Sequence, residues 1–270
     1  MSGFSIAGSA LRRVPPLHRL EASSGTDLDV TRWADRPARL VRMDRLCALA
    51  LVASDAALVD AGLSPADSSW NAERTGVVLG TAFGSHATNE AYYRGYLAAR
   101  AKGASGGSPR LFAYTLPSSP VGEITIHHRI LGPSSTTISG SCAAIDAMRE
   151  AMRHLDAGRA DRMLVVSADV ATPLLARLGY ENHHDTSSAV VLERGTIRLT
   201  SASRFAANDG AAAREAVLRA LHHEDVDASQ VVTPVAPLVA LADFVRSSAA
   251  AILIMAVDPC GLASALRIER

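Results

Sequence analysis

The 270-residue chain carries 27 basic and 27 acidic residues, so its formal net charge is zero and no net field favours nucleic acid or an anionic membrane. Its hydrophobic content of 48% supports a sizeable core, as expected of a soluble globular protein with one large domain or two small ones. The longest fully apolar run, 249–257, is too short to span a bilayer, and 4–11 lacks the basic lead and length of a signal peptide. A cytoplasmic location is therefore expected. Cys47, Cys142 and Cys260 are odd in number and widely spaced, which argues against a disulfide framework or a paired-cysteine metal site.

Residues 4–10 form a short apolar strand, followed by an irregular loop to about 39. The spacing of Leu46, Leu49, Ala50, Ala53, Ala56, Ala57 and Val59 predicts a long amphipathic helix over 43–63, stopped by Gly62 and Pro65. Residues 75–79 read as a buried strand that enters the loop GTAFGS at 80–85. That loop matches neither GxGxxG nor a Walker A motif, so a close-packed turn is expected and no nucleotide. A helix over 89–102 should pack Tyr92, Tyr93 and Tyr96, and a short helix around 123–129 carries His127 and His128. Adjacent histidines on a helix point in different directions. A metal site there would need a further ligand, and ordinary hydrogen bonding is expected.

Residues 133–169 are the segment around which the chain is organised, as strand, small-residue turn, helix, turn and strand. Thr136, Thr137 and Ile138 lead into Ser139, Gly140 and Ser141, whose hydroxyls can cap the helix that starts near Cys142. Ala144, Ala147, Met148, Ala151, Met152 and Leu155 recur at helical spacing, with Arg149, Glu150, Arg153 and Asp156 opposite. Gly158 reads as the helix stop, and 162–166 as the next strand. A helix N-terminus favours an anion or thiolate, so Ser141 or Cys142 could serve as a nucleophile; the plainer alternative is a cap and a small buried thiol. Ser139 and Ala143 replace the flanking glycines of a serine-hydrolase elbow, which fits poorly.

Further on, His183-His184-Asp185 reads as a polar loop, 189–192 and 197–203 as strands, and 210–222 as a helix. Val231-Val232 forms a short strand, 238–257 an apolar helix, 258–261 a turn and 265–268 a last strand. Alternating helices and buried strands imply a layered α/β fold with covered sheets.

On these elements the chain resembles a β-ketoacyl synthase of the thiolase superfamily over most of 1–195. MDRLCALALVASDAALVDAGLSP resembles that family's first long helix, RTGVVLGTAFGS its following strand and glycine turn, and SPRLFAYTLPSSPVGEITIHHRILGP the segment before its nucleophile. TTISGSCAAIDAMREAMRHLDAGRADRMLVVSAD parallels the nucleophile turn, buried helix and following strand, and SAVVLE resembles the alanine-rich strand, with His-Asp-Thr in place of the usual Gly-Glu-Gly. The resemblance implies a thiolase-like α/β/α/β/α sandwich with a shortened second half, divided as 1–195 and 196–270. It implies acyl loading on a nucleophile and decarboxylative condensation, with an acyl carrier protein as partner.

The family's spacing from Gly158 places the nucleophile at Ser141, whereas residue type places it at Cys142. Where the family carries its two catalytic histidines, this chain offers VVTPVAP at 231–237 and Leu241-Ala242-Asp243. DPCGLASALRI at 258–268 echoes the family's terminal Asn-x-x-Gly-x-Gly-Gly segment, with only Gly261 clearly retained. The departures suit a non-condensing, chain-length-factor-like partner of a full-length ketosynthase in fatty-acid or polyketide assembly. The alternative is an acyltransferase or reduced ketosynthase that uses Ser141 or Cys142. No cofactor and no metal are expected. The stretch 111–138 is the expected interface, with a second copy or with the synthase.

Overall fold

The computed structural model describes residues 3–10, 42–104, 106–178, 185–194, 197–205, 210–220, 231–232, 251–258 and 262–269. In chain order these form β1 (Gly3–Ala10), α1 (Arg45–Asp60), β2 (Thr75–Thr81), α2 (His86–Ala101), α3 (Pro109–Phe112), α4 (Ser119–His128) and β3 (Ser134–Ile138). A 3-10 turn (Gly140–Cys142) then leads into α5 (Ala143–Asp156), β4 (Arg162–Asp169), α6 (Pro173–Arg177) and β5 (Thr186–Arg194). The remainder is β6 (Ile197–Phe205), α7 (Gly210–Ala220), β7 (Val231–Val232), β8 (Ala251–Val257) and β9 (Leu262–Glu269).

The strands form one hydrogen-bonded series, β3-β2-β4-β5-β1-β6-β9-β8-β7. One pairing pattern occurs twice in it. β1 pairs antiparallel with β5, β5 antiparallel with β4, and β4 parallel with β2. Likewise β6 pairs antiparallel with β9, β9 antiparallel with β8, and β8 parallel with β7. The two sets meet where β1 pairs with β6. β3, parallel to β2 at the edge, has no counterpart in the second set among the described residues.

Helix α5 lies between the two sets because its apolar stripe is wide enough to be covered from both sides. Ala144, Ala147, Met148, Ala151, Met152 and Leu155 are buried, as the spacing predicts. They pack against Val78, Met163, Val165, Val190 and Leu192 on one side and Ile254, Ala256 and Leu266 on the other. Strand alternation sends Val77, Leu79, Leu164, Val166, Ala189 and Val191 to the opposite face, where they meet α1 together with Val121 and Ile124 of α4. In β9, Ala263 and Ala265 are fully buried on the face away from Leu266, and α7 packs on β6 and β9. The result is the alternation of helical and sheet layers expected from the sequence. Each fully buried Leu or Met of this core stabilises it by about 1.5–3 kcal/mol.

Local signals end these elements where the chain chemistry demands. Asp44 caps α1, accepting from the Cys47 N–H at 2.9 Å and from the Thr88 hydroxyl at 2.7 Å. Gly158, at φ +66°, closes α5 with paired bonds from its own N–H to Leu155 and from the Arg159 N–H to His154.

Two expectations are corrected. Residues 251–257 form β8 rather than the end of a helix, because a fully apolar run carries no period to separate the two and pairing with β7 and β9 decides it. Helix α2 starts at His86, and Thr88 is its buried residue among the described ones. Its tyrosines pack as expected, Tyr92 half-buried against Phe112 and Tyr96 half-buried against Tyr93, which is itself 60% exposed. The expected loop to 39, His183, His184 and residues 233–250 lie outside the described residues.

Candidate functional site

The turn between β3 and α5 sits at the C-terminal edge of the parallel strands, beside the ends of β2 and β4. Gly80 allows that closeness, since a Cβ there would lie 2.4 Å from the Ala143 carbonyl oxygen. Thr137 Oγ1 ties the turn down, 3.3 Å from both the Leu79 and Ala143 carbonyls. Gly140 adopts φ +54°, and a Cβ on it would stand 1.9 Å from Asp258 Oδ2.

Asp258 reaches this turn from the end of β8 and is 2% exposed. Its Oδ2 accepts a hydrogen bond from the Ser141 backbone N–H at 2.8 Å. A carboxylate therefore occupies the start of the helix, where unpaired N–H groups and the dipole favour negative charge. The expected serine caps are thus replaced: no side-chain cap bond is made by Ser139 or Cys142, and Ser139 Oγ is buried without a partner.

The two nucleophile candidates diverge sharply. Ser141 is exposed. Cys142 is fully buried, with Sγ 3.4 Å from the Ala256 carbonyl and 3.5 Å from that of Leu262. Burial pushes its thiol up to about 12, with Asp146 and Asp258 adding to the rise against hydrogen bonding from Ser264. A thiol held there is protonated at neutral pH. The histidines among the described residues are engaged elsewhere: His86 with Thr172, His128 with Ser54, His127 with Asp55 and His154 with Glu150.

A second buried carboxylate organises the glycine loop after β2. Asp169, at the end of β4, accepts from Thr81 Oγ1 at 2.9 Å and from the Ala82 N–H at 2.7 Å. Burial pushes its carboxyl up to about 7, although hydrogen bonds from Thr81, Ala82 and Phe83 favour the ionised form. The loop's donors thus turn inward to Asp169, and the GTAFGS segment is the close-packed turn expected. Neither aspartate stands among the site residues expected from sequence. The signal for Asp258 was its position at the head of the segment that echoes the family's terminal motif.

The family described as "Beta-ketoacyl synthase, N-terminal domain" matches residues 18–218. The chain belongs to the β-ketoacyl synthase family. It is 28% identical to Nodulation protein E of Rhizobium meliloti over 216 residues, covering 79% of this chain and 50% of that one. It is 29% identical to 3-oxoacyl-[acyl-carrier-protein] synthase 2 of Synechocystis over 175 residues, 62% of this chain and 41% of that one. The synthase-family chain thus spans about half the length of the curated relatives it matches. Its fold is that of the ishigamide ketosynthase/chain length factor, at TM-score 0.72 and 22% identity over 90% of this chain and 85% of that one. The thiolase-like fold expected from sequence is therefore the fold observed. Among the described residues, no helix is long and apolar enough to cross a membrane.

Proposed function

We propose that this chain is a non-condensing, chain-length-factor-like partner of an active ketosynthase in fatty-acid or polyketide assembly. The observation that carries the reading is Asp258 on the Ser141 N–H. Acyl transfer and condensation develop negative charge on a carbonyl oxygen, and backbone N–H donors at the nucleophile turn are suited to receive it. Here that donor already serves the Asp258 side chain and is not open to an oxyanion. The neighbouring thiol is buried and protonated, and Ser141 has no imidazole among its described contacts to take its proton. Ser141 or Cys142 marks the position of the family's nucleophile on this reading, with the chemistry removed. Residues 1–195 and 196–270 act as the two halves of the synthase architecture, the second abbreviated, a division supported by the repeated strand pairing.

The partner surface follows from the edge strand β3 and the segment before it. Half of the exposed large apolar side chains among the described residues, five of ten, fall between 111 and 138: Phe112, Leu116, Ile126, Leu131 and Ile138. A second synthase-type chain laid along that edge would cover them and pair the open strand. Acyl carrier protein then docks on the assembled pair, and the pair works in the cytoplasm.

The test incubates the purified chain with acyl-carrier thioesters and reads intact mass, with and without malonyl carrier. Unmodified protein and no β-ketoacyl product are expected. A stable acyl adduct lost in Ser141→Ala, or a condensation product from this chain alone, would overturn the proposal in favour of an acyltransferase or reduced ketosynthase.

A further inference from the structure

Helix α4 ends at His128 because Arg129 takes a left-handed conformation, φ 53° and ψ 44°, that no further helical residue follows. His127 and His128 thus share the last turn, where adjacent side chains diverge by about 100°. Their rings nevertheless meet edge to face, at 90° with centroids 4.8 Å apart. Both Nε2 atoms lie 3.2 Å from Oδ1 of Asp55, which α1 presents across the α1–α4 contact. Ser54 Oγ stands 2.9 Å from His128 Nε2, while also donating to the Leu51 carbonyl at 2.7 Å.

We infer that Asp55, His127 and His128 form a binding site for a divalent transition-metal ion of the zinc type. Zinc binds imidazole nitrogen and carboxylate oxygen at about 2.0–2.2 Å, so two ligands on a tetrahedral ion stand roughly 3.3–3.5 Å apart. The two nitrogen-to-oxygen separations here are 3.2 Å, and the three ligand atoms all lie within 4.8 Å of one another. The two nitrogen-to-oxygen pairs already stand near that spacing, and the remaining pair would close toward it as the ion enters. It is the one such group among the described residues. The side chain of His128 is 4% exposed, whereas those of His127 and Asp55 are 14% and 18% exposed. One side of the cluster is therefore held in the core and the other is partly open to solvent, which gives the ion a way in. With Ser54 donating to Leu51, His128 Nε2 carries the proton of that contact, so coordination through Nε2 would move the ring proton to Nδ1.

The cluster is remote from the nucleophile turn. β3 starts just after the turn that follows His128, and Ser141 lies past the far end of that strand. A metal here would pin α1 to α4, adjoining the surface proposed for the partner, and it needs no role in acyl chemistry.

The test titrates chelator-treated protein with zinc chloride by calorimetry and follows thermal unfolding in parallel. One zinc per chain and a raised midpoint are expected, because an ion that binds only the folded state stabilises it. His127→Ala and Asp55→Asn, shown folded by circular dichroism, should each weaken binding by at least about tenfold and lose the midpoint rise. Absence of stoichiometric uptake, or uptake that both variants retain unchanged, would overturn the site and leave a hydrogen-bonded aspartate-histidine cluster.

Discussion

Asp258 Oδ2 and the Ser141 backbone N–H are joined at 2.8 Å across 117 positions of sequence. This bond fixes the end of β8 to the start of α5, and it occupies the Ser141 N–H with a side chain from another strand. Gly140 is part of the same device, since only glycine leaves room for the carboxylate.

Asp258→Ala should destabilise the fold by roughly 0.5–1.5 kcal/mol, the range for a typical hydrogen bond, since the Ser141 N–H is only partly buried. Gly140→Ala should cost more, because it adds a steric clash to a left-handed backbone. In Gly140→Ala/Asp258→Ala the clash is gone, so the double variant should be more stable than the sum of the single losses. Urea denaturation of all four proteins measures this coupling, and strict additivity would count against the packing described.

Cys142 should resist alkylation. With its thiol pushed up to about 12 and its sulfur buried against two carbonyls, labelling by iodoacetamide at neutral pH should follow unfolding rather than the thiolate fraction. Peptide mapping after brief labelling, native and in urea, separates the two. Rapid native modification of Cys142 would instead support the acyltransferase reading.

Asp169 gives stability a particular pH signature. Its folded value is raised from 3.8 to about 7, so the folded state binds the proton more tightly than the unfolded chain. The group's contribution is most favourable below about 4 and is lost as pH rises through about 7. Asp169→Asn removes the titration while keeping an oxygen to accept from Thr81 and Ala82. The difference in melting temperature between variant and parent should therefore move in the variant's favour from pH 5 to pH 8. A difference flat across that range would show that Asp169 titrates normally.

The edge at β3 makes association measurable. Ile138 is 52% exposed, at the end of the outermost strand. Light scattering, alone and after co-expression with a full-length ketosynthase, should show a dimer in at least one case, and Ile138→Asp should weaken it. A monomer in both samples, unchanged by the substitution, would refute the proposed interface.

The local pattern of the sequence determined β2, β3, β4 and α5: β-branched runs, helical spacing of small apolar residues and the glycine at 158 each act within a few positions of where they are read. It also marked Ser141 and Cys142 as a turn at a helix start. Only the tertiary structure decided what that turn could do, because Asp258 arrives from another strand and Cys142 is buried by β8 and β9. The same holds for His127 and His128, which diverge along their helix until Asp55 on α1 draws both nitrogens to one oxygen. The apolar run 251–257 had no period to read, and its place between β7 and β9 made it a strand. Periodicity reports which residues face a core; the groups that meet there are set by packing between segments far apart in sequence, a relationship that local propensity does not carry.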